Sequence, residues 1–152
     1  MNIDLRELYQ DVILDHSKHP RNFGPADGAY RHVKGNNPLC GDRVEVHLKI
    51  TDGTIEDARF EGRGCAISLA SASLMTELLK GRNEAEARAL FVQFRELLTA
   101  KGPVDLARYA DIERLAALSG VRDYPMRVKC ATLAWHAMNA ALEGKDEEVR
   151  TE

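Results

Sequence analysis

The amino-acid sequence predicts an α+β fold in which helices cover one face of an antiparallel sheet. Three observations lead to this prediction. The chain has 152 residues, of which 44% are hydrophobic, so it fits a single domain with its own core. Strand-like alternation is confined to the first half of the chain, most clearly at residues 43–50. Helical periodicity dominates the rest.

The N-terminal segment is predicted to form a helix that starts at Asp4. Asp4 followed three residues later by Glu7 is typical of a capping box with Asp in place of Ser or Thr. One face of this helix is apolar and consists of Leu5, Leu8, Tyr9, Val12 and Ile13. The helix must end before Pro20. A loop rich in Gly, Pro and Asn follows, with a short strand predicted at residues 30–33.

The next two elements are predicted to be strands joined by a hairpin. At residues 43–50, apolar and polar side chains alternate, which is typical of an antiparallel strand with one buried face. The apolar set is Val44, Val46, Leu48 and Ile50, and the polar set is Arg43, Glu45, His47 and Lys49. Asp52 and Gly53 favour a tight turn, and a second strand at residues 54–61 returns from it.

The second half of the chain is predicted to be helical. Helices are predicted at residues 65–80, 83–102, 111–119 and 126–143, and a glycine closes each of them. Asn83 and Glu86 form a capping-box pattern at the start of the second of these helices. Residues 1–145 are therefore predicted to be one domain, and the polar tail at residues 146–152 is predicted to fray.

The composition excludes several classes of protein. The net charge of −3 gives no basic surface of the kind that binds nucleic acid. The longest stretches without a charged residue, 64–76 and 130–142, have 13 residues each, fewer than the ~18 of a membrane-spanning helix. The first residues have mixed charges and no apolar core of a signal peptide. We therefore expect a cytoplasmic protein with no membrane or nucleic-acid partner.

The three cysteines, Cys40, Cys65 and Cys130, are the candidate functional residues. An odd number of cysteines cannot close into a disulfide framework, and in a reducing compartment thiols are more often buried, reactive or metal-binding. The sequence has no CxxC pair. Any metal site must therefore be assembled by the fold from positions that are distant in sequence.

Cys40 and Asp42 have the same parity as the apolar face of the predicted strand at 43–50. If extended backbone continues through Gly41, the thiol and the carboxylate both point to the core side, where an aspartate is costly to bury without a cation. The alternative is that Gly41 bends the loop and Asp42 is solvated or caps a turn. The spacing alone leaves both interpretations open.

Cys65 and Cys130 have their own alternatives. Cys65 opens a predicted helix, where free N–H groups and the helix dipole stabilise a thiolate, although a small residue could also simply fill a tight corner. Cys130 lies in an apolar helical stripe, and by itself it indicates a core cysteine. Taken together, the three cysteines and Asp42 could form a four-ligand site of the kind that holds zinc.

Arg127 is the candidate cation of such a site. Three thiolates and one carboxylate outweigh the charge of Zn²⁺, so a partly buried site needs a neighbouring positive charge. Arg127 precedes Cys130 by three residues, which places both on one helical face. The alternative is a solvated arginine. However, the helix dipole disfavours a cation in a first helical turn, so its position there supports an anionic partner nearby.

The segments around the cysteines resemble motifs of a known family, the U-type iron–sulfur cluster assembly proteins (the NifU N-terminal and IscU-like family). These segments are NPLCGD at 37–42, GRGCAIS at 62–68 and RVKCATLAW at 127–135. ILDH at 13–16 and PRN at 20–22 resemble the family's N-terminal motif. The resemblance spans about residues 5–142 and implies a three-stranded antiparallel sheet with helices packed on one face.

Two features resemble the SufU-like branch of the family more than the IscU-like branch. In the IscU-like branch a histidine precedes the third cysteine, within a Leu-Pro-Pro-Val-Lys segment that a chaperone recognises. Here Lys129 precedes Cys130, and residues 123–129 read DYPMRVK. The interval between Cys65 and Cys130 is also longer, and the helix predicted at 83–102 belongs to the extra length.

The resemblance implies that Cys40, Asp42, Cys65 and Cys130 bind zinc, and that the protein accepts persulfide sulfur from a cysteine desulfurase. Cys40 is the predicted acceptor because it lies in a loop, and loops carry chemistry that must reach a partner. Arg127 is predicted to assist the transfer, and other iron–sulfur assembly proteins are expected downstream.

Two other hypotheses remain at this point. The same ligands could hold iron, so the protein could be a non-enzymatic scaffold on which a [2Fe–2S] cluster is assembled and transferred. A cysteine hydrolase with His16, His19 or His136 as its base is a further hypothesis, although no histidine adjoins a cysteine in a known pattern.

Overall fold

In the computed structural model of the chain, the described residues are 5–101, 106–145 and 147–151. Their elements, in chain order, are α1 Leu5–Lys18, β1 Arg31–Asn37, β2 Asp42–Thr51, β3 Thr54–Arg63, α2 Ala66–Leu79, α3 Glu84–Thr99, a segment of 3-10 turns at Leu106–Asp123, α4 Pro125–Leu142 and β4 Val149–Arg150. Two predicted helix boundaries, Asp4 and Gly102, lie outside the described residues.

The α+β class is confirmed, but the expectation of a three-stranded antiparallel sheet is wrong. The sheet has four strands in the order β3-β2-β1-β4. The first three strands are antiparallel, whereas β4 runs parallel to β1 and pairs with Gly35 and Asn36. β4 lies in the segment 146–152, for which the sequence predicts fraying. A two-residue strand is too short to show alternation, so its pairing depends on the free edge of β1.

The two hairpins of the sheet differ in how well the sequence predicts them. Asp52 and Gly53 have φ angles of 52° and 77°, which are the two left-handed residues that a tight hairpin turn requires, so this predicted turn is confirmed. β1 is longer than predicted and continues to Asn37, which pairs with Asp42 across a four-residue connection. This second hairpin brings the end of β1 and the start of β2 to one edge of the sheet.

The helices and the apolar face of the sheet share one core. α4 packs on β1 and β2, α2 packs on β3, and α1 packs on α2. Buried side chains of the sheet include Val33, Val44, Val46, Leu48, Ile55, Ala58 and Phe60. Because Asp42 precedes Val44 by two residues, it projects toward the same side as this core.

α3 is an integral part of that core. Its N-terminus has the predicted capping box, in which Asn83 and Glu86 each accept the other's backbone N–H. Phe94 is completely buried, and its ring centroid lies 5.2 Å from that of Trp135 in α4. The indole Nε1 of Trp135 donates to Ser71 Oγ of α2 at 3.2 Å. The indole ring therefore joins three helices.

None of the helices among the described residues is long and apolar enough to cross a membrane.

Removing the Phe94 ring tests whether α3 stabilises the whole domain. We expect Phe94→Ala to lower the free energy of unfolding by about 3–5 kcal/mol, because it leaves a cavity beside Trp135. Val92→Ala is the matched control on the same helix, since Val92 is 59% exposed, and we expect it to change stability by less than about 0.5 kcal/mol. Urea denaturation at equal metal content measures both. Equal midpoints for the two variants would contradict the role given to α3.

Candidate metal centre

Cys40 lies in the turn that joins β1 to β2. One interpretation of the sequence required extended backbone through Gly41. The structure does not have it, because Gly41 has a φ of 76° and bends the chain. The N–H of Gly41 donates to the Asn37 carbonyl at 2.9 Å, and the N–H of Leu39 donates to Asn37 Oδ1 at 3.1 Å. These bonds close the turn and leave Cys40 exposed at the edge of the sheet where Asp42 begins β2.

Asp42 is completely buried on the core side, as its parity with Val44 predicts. Its Oδ1 accepts the backbone N–H of Cys65 at 2.9 Å, and its Oδ2 lies 3.7 Å from the Cys65 thiol. The carboxylate lies so close to Gly64 that a Cβ on residue 64 would overlap with Oδ1. Only glycine at position 64 therefore admits the carboxylate to this position.

Cys65 is the N-cap residue of α2, as predicted. Its sulfur accepts the N–H of Ser68 at 3.4 Å, which satisfies one of the free donors at the start of the helix. The thiol is exposed on its other side. Cys65 therefore adjoins the Asp42 carboxylate through both its backbone and its sulfur.

Cys130 lies one and a half turns into α4 and is buried. Its Sγ is 3.4 Å from the Sγ of Cys40, although the two residues are 90 positions apart in sequence. Three potential ligand atoms, one each from Cys40, Asp42 and Cys130, all lie within 4.8 Å of one another. The structure thus brings together all four residues of the predicted ligand set, with Cys65 joined to the group through Asp42.

The electrostatics of this group favour a bound cation. Burial raises the pKa of the Cys130 thiol far above its usual range, and the neighbouring Asp42 and Cys40 side chains raise it further. Although the residue is exposed, partial desolvation also raises the pKa of the Cys40 thiol. In the part of the chain that the structure describes, the Asp42 carboxylate forms no salt bridge with a lysine, arginine or histidine. A buried carboxylate beside three thiols is costly unless a cation neutralises it.

The donor set fits a tetrahedral metal ion. Three sulfurs and one carboxylate oxygen suit Zn²⁺, and thiolates equally suit iron–sulfur clusters. Coordination requires deprotonated thiols, and a metal ion deprotonates a thiol that it binds. The positive charge of a bound metal ion therefore opposes the effect of burial, which raises the pKa of both the Cys40 and the Cys130 thiol.

Arg127 lies in the first turn of α4, one turn before Cys130, and its side chain is exposed. Its guanidinium carbon is 4.9 Å from the ring centroid of Tyr124, an arrangement typical of a cation–π contact. The structure thus gives Arg127 an aromatic neighbour at the surface. The role of Arg127 in sulfur transfer stays a prediction.

Two of the three histidines of the hydrolase hypothesis, His16 and His136, have neighbours other than cysteine. His16 is buried, with its Nδ1 2.7 Å from Ser73 Oγ. The ring of His136 packs edge-on against Phe91, with centroids 5.0 Å apart. Cysteine is not among these partners, so neither contact supports a cysteine–histidine pair.

The sequence did not identify Asn37 and Gly64, although both shape the centre. Asn37 is buried and organises the Cys40 turn, and Gly64 makes room for Asp42. Both lie within the quoted motif segments, but neither was assigned a role from the sequence, because the reason for each residue type is found only in the structure. A second cluster, formed by His32, Glu45 and His47, was also missed. The alternation of β2 places Glu45 and His47 on one face, but the register with β1 was unknown.

Comparisons with known proteins give relatives of this chain in sequence and in fold. Residues 8–131 match the family model of the NifU-like N-terminal domain. The chain is 44% identical to the zinc-dependent sulfurtransferase SufU of Bacillus subtilis over 93% of both chains. It is 40% identical to the iron–sulfur cluster assembly scaffold protein IscU of Streptococcus pyogenes, over 91% of this chain and 85% of that protein.

The fold is also similar to a crystal structure from Fervidobacterium islandicum, described as that of a candidate iron–sulfur cluster assembly scaffold protein for the SUF system. The two share 32% sequence identity and a TM-score of 0.77, over 91% of this chain and 99% of the other. Because the family model matches most of the chain and full-length relatives share up to 44% of its residues, the chain belongs to the NifU-like N-terminal domain family.

Proposed function

We propose that this protein is a zinc-dependent sulfurtransferase of iron–sulfur cluster assembly, and that it accepts sulfur from the persulfide of a cysteine desulfurase. The observation that carries the proposal is the completely buried Asp42 carboxylate, which adjoins the Cys65 thiol and lies within a cluster that includes Cys40 and Cys130. The B. subtilis relative, whose name states zinc-dependent sulfurtransfer, supports the same assignment.

Cys40, Asp42, Cys65 and Cys130 are the proposed ligands of the zinc ion. When bound, zinc supplies positive charge that keeps thiols deprotonated, and it has no redox chemistry of its own. Cys65 and Cys130 are fixed by helices, whereas Cys40 lies in a turn. Asp42 is the hardest of the four ligands, so it suits a change in binding mode when Cys40 reacts.

Sulfur transfer is an exchange between thiol and persulfide groups. The Cys40 thiolate attacks the outer sulfur of the desulfurase persulfide, and a new S–S bond forms on Cys40. The original S–S bond breaks, and the desulfurase cysteine leaves as a thiolate with the electron pair of that bond. One sulfur atom moves to Cys40, and the exchange requires no external oxidant or reductant. A downstream iron–sulfur assembly protein then receives this sulfur.

Exposed apolar side chains beside the centre provide a surface for the desulfurase. Leu39, next to Cys40, is 63% exposed, and Tyr124 and Met126, at the start of α4, are 53% and 41% exposed. The contact between Cys40 and Cys130 brings the turn between β1 and β2 next to the start of α4. Exposed apolar groups next to a reactive residue are typical of a protein-binding surface. Arg127 adds a cation that can pair with the persulfide or with a carboxylate of the desulfurase.

The second candidate function is a scaffold for a [2Fe–2S] cluster. The S. pyogenes relative, which is named as a scaffold protein, favours it, and the ligand set is the same. Lys129 in place of a histidine before Cys130, together with the added helix α3, favours sulfur transfer.

Metal content distinguishes the two candidates. Protein purified anaerobically without added metal and then desalted should contain about one zinc ion per chain, because one tetrahedral site of three thiolates and a carboxylate holds one ion. Elemental analysis and a labile-sulfide assay measure this. Stoichiometric iron and sulfide with visible absorption would instead support the scaffold.

A glycine substitution tests whether Asp42 takes part in that site. Gly64→Ala should lower the zinc content, because the added Cβ displaces the Asp42 carboxylate. Gly28→Ala is the matched control, since a Cβ at Gly28 has no neighbouring atom within 4 Å. Full zinc occupancy in Gly64→Ala, with the fold intact by circular dichroism, would argue against Asp42 as a ligand.

The acceptor thiol can be identified by mass spectrometry. After incubation with a cysteine desulfurase and cysteine in the absence of reductant, we expect the added sulfur on Cys40, because Cys40 lies in an exposed turn while Cys130 is buried in α4. Cys40→Ser should abolish sulfur acceptance even where zinc remains. Persulfide found mainly on Cys65 or Cys130 would reject Cys40 as the acceptor.

The role of Arg127 is tested by comparing the rates of sulfur acceptance of variants with equal zinc content. Arg127→Ala should slow sulfur acceptance roughly 10-fold or more, the expected cost of losing one charge-assisted hydrogen bond. Arg127→Lys should recover part of the rate, because it keeps the charge but loses the planar guanidinium. The control is Arg95→Ala on α3, which also removes an exposed arginine that stacks on an aromatic ring. A wild-type rate in Arg127→Ala would end this assignment.

A further inference from the structure

A second group of metal-ligating side chains lies on the face of the sheet opposite the core. His32 of β1 is directly opposite His47 of β2, and Glu45 of β2 is directly opposite Glu61 of β3. One ligand atom each from His32, Glu45 and His47 lie within 4.8 Å of one another. His47 is only 2% exposed, so its ring must find its partners inside the protein.

The two imidazole rings form a chain of three polar contacts. His32 Nε2 is 3.0 Å from the Asp27 carbonyl oxygen, and His47 Nε2 is 3.1 Å from Glu61 Oε1. Between these ends, the two Nδ1 atoms are 2.5 Å apart. A carbonyl and a carboxylate can only accept hydrogen bonds, so each outer contact requires a proton on the Nε2 atom.

If both imidazole rings are neutral, they have too few protons for these three contacts. A neutral imidazole has one N–H, so two neutral rings supply two protons for three contacts. If both protons lie on the Nε2 atoms, where the acceptors require them, the two Nδ1 lone pairs face each other. That arrangement is repulsive unless a positive charge lies between or beside the two nitrogens.

We propose that His32 Nδ1, His47 Nδ1 and the Glu45 carboxylate bind a divalent transition-metal ion of the kind that prefers imidazole, such as Zn²⁺. Both Nδ1 lone pairs and the carboxylate then donate to the ion, so the two lone pairs no longer repel each other. A zinc site with three protein ligands keeps a fourth position for water. A tetrahedral zinc ion with Zn–N bonds of about 2.0–2.1 Å holds two nitrogens roughly 3.3 Å apart, so the rings separate by roughly 0.8 Å on binding.

The surroundings of the two rings match those of metal-ligating histidines. Such histidines donate their second ring N–H to a carboxylate or a backbone carbonyl, which fixes the tautomer and orients the ring. Glu61 supplies the carboxylate for His47, and Asp27 supplies the carbonyl for His32. These outer contacts come from β3 and from the loop before β1, so neighbouring parts of the fold hold both rings in place.

The imidazole site is separate from the thiol centre. Glu45 and His47 project from the face of β2 opposite Asp42, because side chains alternate along a strand. The site contains no thiolate, and it is independent of the proposed sulfur transfer. We expect it to bind its ion more weakly than the thiol centre and to lose it on desalting.

The test is a titration of the protein that retains its first metal ion. Isothermal titration calorimetry with Zn²⁺ should show one further ion per chain in the wild type. His32→Asn and the nearly isosteric Glu45→Gln should each weaken this second binding roughly 10-fold or more and leave the first ion in place. His19→Asn is the matched control, because His19 is an exposed histidine outside the cluster, and it should bind the second ion as the wild type does.

A parallel titration with Co²⁺ locates the ion. Cobalt at the imidazole site should give ligand-field bands without thiolate-to-cobalt charge transfer, and circular dichroism verifies that each variant is folded. The proposal is overturned if the wild type binds no second ion, if folded His32→Asn and Glu45→Gln bind it with unchanged affinity, or if the second cobalt shows thiolate charge transfer.

Discussion

The hydrogen bond from the Cys65 backbone N–H to Asp42 Oδ1, 2.9 Å long, is the contact on which the thiol centre depends. It joins the first residue of β2 to the start of α2 and holds a completely buried carboxylate in place. The bond can form only because Gly64 has no side chain to fill the same space. The bond places Cys65 beside the Asp42 carboxylate, and the same carboxylate lies close to the Cys40 and Cys130 thiols.

The protonation of the thiols in this centre depends on burial and on neighbouring charge. Burial and the neighbouring carboxylate raise the pKa of the Cys130 thiol, and burial raises that of Cys40. Without a cation, these thiols therefore keep their protons at neutral pH. A metal ion replaces the protons, so its binding is coupled to proton release and to the stability of the fold. In the proposed sulfur transfer, this coupling is what would make Cys40 available as a thiolate in its exposed turn.

One strand supports two different groups of ligands because its side chains alternate. β2 places Asp42 on the core side, beside the thiols, and Glu45 and His47 on the opposite side. The core side offers soft sulfur ligands, whereas the other side offers imidazole nitrogen and carboxylate oxygen. The antiparallel register with β1 adds His32 directly opposite His47. The sheet thus separates two chemically different sets of metal ligands, and zinc accepts the donor types of both.

The sequence by itself determined the features that depend on neighbouring residues. Capping at Asn83, the turn at Asp52 and the N-cap position of Cys65 were predicted because each depends on a few adjacent side chains. The cysteine segments also identified the family. Tertiary structure alone decided that Cys130 meets Cys40, and that the chain after α4 returns as a fourth strand. The physical reason is that such contacts depend on strand register and helix packing, which bring distant residues together without a local pattern in the sequence.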